Sequence, residues 1–128
     1  PAPGGTEDGG IIMHLSISGP LGIEDGEINL FSDYEHDGPM WSGTGPREVR
    51  KPVVFKAPFS VPPSVRVWLT MVDISNEGNV RMDVQAEAVN AQGFAAVFRT
   101  WGDTRIARVR VGWQAIGAAS HPDNWQVD

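Results

Sequence analysis

Arg81 and Trp101 are the residues of this chain whose types suit one particular chemistry. A sugar ring is held by an aromatic face stacked on its C–H groups and by a few fixed polar groups on its hydroxyls. Trp101 ends an alternating run and stands before a Gly102-Asp103 turn, while Arg81 lies on the polar side of the preceding run, near its start. If 80–89 and 94–101 pair as a hairpin, the start of one strand opposes the end of the other and both residues reach one end of the sheet. On the residues alone, a core or edge tryptophan beside a surface arginine accounts for the pair better, so the sugar reading needs further support.

Other chemistries are poorly served. Glu24, Asp25 and Glu27 are clustered but flank a turn, which describes a solvated surface better than an acid/base dyad across a cleft. His14, His36 and His121 are far apart and never at a strand-face spacing, so a zinc site is not expected. No nucleophile elbow and no glycine-rich phosphate loop is present. Asp33-x-Glu35-x-Asp37-Gly38 copies the first half of a calcium loop, but its twelfth position is Thr44 where a bidentate Glu belongs, and its flanks are not helical. An ordinary acidic loop is the default, and no metal or other cofactor is expected.

The elements that would carry Arg81 and Trp101 read as strands. Val65, Val67, Leu69 and Met71 alternate with Arg66, Trp68 and Thr70. Val80, Met82, Val84, Ala86 and Ala88 oppose Arg81, Asp83, Gln85 and Glu87. Phe94, Ala96 and Phe98 alternate with Ala95, Val97, Arg99 and Trp101, and Val109, Val111, Trp113 and Ala115 with Arg108, Arg110, Gly112 and Gln114. Upstream, 27–31 reads as a short strand after a break at Gly19-Pro20 and Gly22, 32–46 as a long loop, and 49–56 as a strand around Val53, Val54 and Phe55. Residues 11–18 alternate too and predict an extra strand, free to pair with a neighbouring protomer or with chain upstream of it; 1–10 read as a flexible leader and 118–128, anchored by Trp125, as a tail. No segment carries a helical apolar stripe, so an all-β sandwich or barrel is expected.

Composition agrees. The 128 residues fit one domain, and fifteen Gly and ten Pro suit a fold of many turns. With no Cys, a disulfide framework, a thiolate nucleophile and a cysteine zinc site are excluded. A net charge of −6 argues against general nucleic-acid binding, and no run is long and apolar enough to span a membrane.

From Phe55 to Ala115 the chain resembles the H-type lectin domain of snail agglutinins and of the carboxy-terminal part of slime-mould discoidins. The resemblance rests on VVFKAPFSVPPSV with its F-x-x-P-F-x-x-P-P pattern, Asp73 at a strand end, NVRMDVQAEAVNAQGF, TWGDT and the closing VGWQAI. Arg47-Glu48 and the GEI at 26–28 extend it, so that it covers 26–117. It implies a six-stranded antiparallel β-sandwich assembling as a homotrimer, extracellular or surface-associated, with galactose or N-acetylgalactosamine sites between protomers and no catalysis. Arg81 and Trp101 stand at the family's sugar-binding arginine and tryptophan, with Gly102 and Asp103 following. The snail proteins have histidine where this chain has Gly102, and an aspartate opposite Thr44; Asp33, Glu35 or Asp37 of the longer loop could supply that acid instead. Without cysteine, a disulfide-linked pair of trimers cannot form.

Two functions from different classes follow: a multivalent lectin using Arg81, Trp101, Gly102, Asp103 and Thr44, or a trimeric structural or adhesion module of the same fold without a sugar site. If their face is buried in a trimer, Arg108 and Arg110 need partners, since unpaired buried charge is costly, and inter-strand or inter-subunit ion pairs are expected among Arg108, Arg110, Asp83 and Glu87.

Overall fold

The computed structural model describes residue 10 and residues 12–120; Ile11, His121, Trp125 and most of the expected leader and tail lie outside the described residues. Six strands, β1 (Leu21–Ser32), β2 (Arg47–Val54), β3 (Ser64–Ile74), β4 (Met82–Asn90), β5 (Gly93–Thr100) and β6 (Ile106–Ala118), form two antiparallel three-stranded sheets, β1-β6-β3 and β2-β5-β4. The two sheets share one core of Leu30, Phe55, Phe94, Phe98, Val109, Val111 and Trp113, onto which inward side chains of β3 and β4 pack. Phe55, Phe94 and Trp113 form its aromatic centre, with ring centroids 5.4–5.9 Å apart. The central strands β5 and β6 are joined by 101–105, so the TWGDT segment carries the chain from one sheet to the other.

β1 is longer than the predicted 27–31. Gly22 lies inside it, and the reason is cross-strand packing: a Cβ at Gly22 would sit 3.1 Å from the Phe59 ring, and one at Gly26 would sit 2.4 Å from Trp113 Nε1. Glycine here leaves room for aromatic rings rather than turning the chain. Of the expected strand at 11–18, Ile11 lies outside the described residues; residues 12–18 form no ladder within this single chain, and Ile12 and Met13 are exposed. The acidic trio lies within β1, not at a turn. Glu24 accepts the Lys56 N–H at 3.0 and 3.1 Å, and Glu27 reaches Arg110 at 3.6 Å.

Two bulges shift the predicted faces. The register slips between Leu69 and Met71, so that Val72 and Ile74 join the core and Met71 stands opposite Arg110. It slips again between Glu87 and Asn90, where Ala88 has φ 53 and Val89 takes the inward position expected of Ala88.

Within the chain the inter-strand form of the expected pairing of Arg108 and Arg110 with Asp83 and Glu87 is not found among the described residues, because β6 and β4 belong to different sheets. Arg108 pairs with Asp73, directly opposite on β3, at 3.1 Å; Arg110 pairs with Glu27 and donates to Thr70. Glu87 instead receives Arg50 at 2.8 Å and Arg99 at 2.7 Å on the outer face of β2-β5-β4, and Arg99 also reaches Glu48 at 3.0 Å. The hydrogen bonds from Arg99 and Arg50 hold the Glu87 carboxyl below the usual carboxylate range. A carboxyl depressed by folding contributes stability above its unfolded pKa, and this is lost as pH falls through the lower folded value. Glu87→Gln is therefore expected to flatten the acid limb of a Tm-against-pH profile, below about pH 4. Parallel acid limbs for the two proteins would show that the network carries no proton linkage.

Candidate functional site

The β4–β5 hairpin turns through Ala91-Gln92, where Asn90 Oδ1 accepts the N–H groups of Gln92 and Gly93 at 2.8 and 3.0 Å. Its register pairs Met82 with Thr100. Arg81 and Trp101 are the next residues outward on each arm, so antiparallel pairing brings them to one rim as the sequence predicts.

That rim is fastened by two buried threonines. Thr104 Oγ1 accepts the Arg81 N–H at 3.0 Å and donates to the Asn79 carbonyl at 2.6 Å, and Thr100 Oγ1 donates to the Arg81 carbonyl. Thr104 is 0% exposed and Thr100 1%. The 75–81 and 101–105 connections are thereby zipped together. Asp103 completes the seam: its carboxylate receives Arg81 Nη1 at 3.3 Å and the Asn79 N–H at 3.3 Å. Gly102 has φ +71, which favours glycine, and a Cβ there would meet Arg81 Nη1 at 3.3 Å.

A third connection, the loop before β2, docks on the same turn. The Gly102 carbonyl accepts the Gly45 N–H at 2.9 Å and Arg47 Nη2 at 3.2 Å. Arg47 also donates to the carbonyls of Gly45 and Met40, and partial burial lowers its guanidinium pKa from the ordinary value. Thr44 thus stands beside Gly102, exposed and, among the described residues, without a hydrogen-bond partner for its hydroxyl. The five sequence-nominated residues gather at one end of the sandwich. Gly102 acts there through its backbone, which leaves Trp101, Arg81, Asp103 and Thr44 to offer side chains.

Trp101 is 43% exposed and lines an open cleft of about 470 Å³ on the outer face of β2-β5-β4, with Pro46, Glu48, Asp83, Gln85 and Arg99 among its walls. Glu48 and Arg99 pair with each other, whereas Asp83 and Gln85 have no side-chain partner among the described residues. Sequence reasoning left these two out, although they share the outward parity of Arg81 on β4. Of the loop acids, among the described residues only Asp33 has its carboxylate engaged by a hydrogen bond, and Asp37 takes part through its backbone. Asp33 Oδ2 accepts the Met40 N–H at 2.9 Å, the Asp37 carbonyl accepts Ser42 Oγ, and Glu35 lines a recess with Asp73 and Arg108 on the other sheet. This loop is a 3-10 turn (Tyr34–His36) followed by a short helix, α1 (Pro39–Ser42), and among the described residues no three His, Asp or Glu side chains converge as metal ligands.

The profile of the H-type lectin domain matches residues 50–116, from β2 to β6. The chain belongs to the H-type lectin domain family. The matched span holds Arg81, Thr100, Trp101, Gly102, Asp103 and Thr104, while Thr44 and Arg47 precede it. Among similar proteins, "ATP synthase subunits region ORF 7" of Fuscovulum blasticum is 46% identical over 114 residues, which is 89% of this chain and 99% of that one. Discoidin-2 of Dictyostelium discoideum is 28% identical over 102 residues, 79% of this chain and 37% of that protein. The solved structure of wild-type discoidin II has the same fold, with a TM-score of 0.68 at 24% identity over 77% of this chain and 37% of that one. The tailspike protein gp49 of Pseudomonas phage LKA1 aligns with a TM-score of 0.50 at 20% identity over 77% of this chain and 15% of its own. This H-type lectin domain therefore spans little more than a third of the discoidin.

Thr104 is the test of how the rim is held. Thr104→Val leaves the Arg81 N–H and the Asn79 carbonyl without their partner. It is expected to cost about 1–3 kcal/mol in denaturant unfolding, with Thr104→Ser restoring most of it. A Val variant as stable as the native chain would show that the seam does not depend on this hydroxyl.

Proposed function

We propose that this H-type lectin domain binds carbohydrate at the Trp101 rim, that galactose or N-acetylgalactosamine glycans are its ligands, and that it works as a homotrimer with its sites between neighbouring protomers. The observation that carries the reading is an exposed tryptophan on a turn that buried threonines hold rigid, beside Arg81 and the unpartnered Asp83 and Gln85. Trp101 supplies the stacking face. Arg81, positioned by Asp103, supplies donors to ring hydroxyls. Asp83 supplies the carboxylate acceptor that Thr44 does not, with Gln85 and Thr44 as weaker partners. Sugar binding by such a site needs no catalytic step, and three weak sites on one rigid trimer gain on the order of 10² or more in avidity on a dense glycan surface.

A glycan array on the native chain, read with sedimentation of the same sample, tests this. A trimer with galactose-type hits that disappear in Arg81→Ala and Asp83→Asn is the expected result. Galactose-type binding that survives both substitutions would remove the rim as the site. A trimer that binds no glycan at all would favour the structural or adhesion module.

A further inference from the structure

We propose a second carbohydrate platform on this domain, on the outer face of β1-β6-β3 and centred on Trp68. Trp68 is 45% exposed and stands directly opposite Gly112 of β6. Its indole lies over that glycine: a Cβ at Gly112 would be 2.8 Å from Cε2 and Nε1. One side of the ring is therefore seated on backbone while the residue stays open to solvent. The register places Asp25, Gln114 and Arg66 in one row across the three strands, next to the row of Glu27, Gly112 and Trp68.

The occupant is identified by what this row offers. Among the described residues Asp25, Gln114 and Arg66 have no side-chain hydrogen bond or ion pair, whereas the arginines further along the face are engaged by Asp73, Glu27 and Thr70. A carboxylate acceptor, an amide with both functions and a guanidinium donor thus stand unused beside an aromatic face. Asp25 and Arg66 balance in charge, which suits a neutral ligand with a C–H face and several hydroxyls. That is a neutral hexopyranose. The patch is one ring wide and rimmed by unpaired polar groups, unlike the aromatic and aliphatic cluster that anchors a protein partner. The platform is on the opposite sheet from the Trp101 cleft and lies within one protomer, so each chain would hold two sugars. The inference takes its ligand class from the carbohydrate-binding reading above, but not its site.

The indole N–H signals of the five tryptophans in a 1H–15N spectrum separate the two sites. Trp68→Phe and Trp101→Phe assign the signals, and methyl β-D-galactopyranoside and methyl β-D-glucopyranoside serve as probes. With at least one of them the Trp68 signal is expected to shift along its own isotherm, with a midpoint of roughly 1 mM or weaker. The isotherm should persist in Trp101→Ala and weaken about tenfold in Asp25→Ala, as loss of one charged hydrogen bond implies. A Trp68 signal that neither sugar moves while the Trp101 signal saturates would overturn this platform alone. So would a Trp68 shift that vanishes in Trp101→Ala. Movement of Trp68 without Trp101 would overturn the rim and leave the platform, and movement of neither would overturn both.

Discussion

Trp101→Ala is expected to remove the dominant part of binding to a glycan-coated surface, leaving only the weak millimolar contribution of the Trp68 platform, while leaving the fold intact. The side chain is 43% exposed and stands outside the core, so its removal opens no cavity, and stability should change by no more than about 0.5 kcal/mol. Binding should change far more. Losing one aromatic stacking face costs about 1.4 kcal/mol or more, which is at least tenfold at each site. On a trimer engaging three glycans at once the loss compounds towards ~10³-fold. Trp101→Phe keeps a smaller π-face and should fall between the two. Surface plasmon resonance on a galactose-rich glycoprotein, run beside isothermal titration with free sugar, separates the per-site loss from the avidity loss. Native-like binding by a folded Trp101→Ala would show that the ligand is held elsewhere on the domain.

The contrast between Trp101 and the residues that hold it explains what a sequence reading can reach. Arg81 and Trp101 could be placed together before any coordinates, because antiparallel pairing of 80–89 with 94–101 fixes which ends meet. Thr100 and Thr104 could not be assigned their part. A threonine beside a turn is unremarkable until the 75–81 connection is seen lying against it. Asp83 and Gln85 shared the outward parity of Arg81, but their cleft also needs Pro46 and Glu48, which a distant stretch of chain brings alongside β5.

Faces were read correctly wherever strands stay regular, as in β6, where Val109, Val111, Trp113 and Ala115 all point inward. They were misread past Leu69 and Glu87, because one bulged residue reverses every later side chain. The inter-strand form of the Arg108 and Arg110 pairing fails for a topological reason. Opposite charge on polar strand faces says nothing about sheet membership, and here consecutive elements cross between sheets. Residues 12–18 show the converse: alternation is a permission for pairing, and without a partner strand it produces no ladder.

Gly26→Ala is expected to be among the most damaging single-methyl changes in the chain. Gly26 faces Trp113 across the β1–β6 ladder, and a Cβ would lie 2.4 Å from Nε1 and 2.5 Å from Cε2 and Cζ2. The ring cannot simply retreat. Trp113 is 5% exposed and packs against Phe94 at 5.4 Å and Phe55 at 5.9 Å, and Phe55 in turn meets Phe59 at 5.1 Å. Relief requires β1 to peel away or the aromatic centre to repack, an overpacking cost of about 3 kcal/mol. For a domain of this size that lowers Tm by on the order of 10 °C or more. Gly19→Ala is the control: nothing lies within 4 Å of its added Cβ, and no change beyond about 0.5 kcal/mol is expected. If the clash with Trp113 is the cause, shrinking the ring should recover part of the loss. Gly26→Ala combined with Trp113→Leu should then cost less than the sum of the two single changes. Strict additivity in chemical denaturation would mean that the glycine answers to the backbone of β1 and not to the ring. Because the strain lies in the aromatic centre and not in the threonine-held seam, the folded fraction of Gly26→Ala should still bind at the Trp101 rim with native affinity per site.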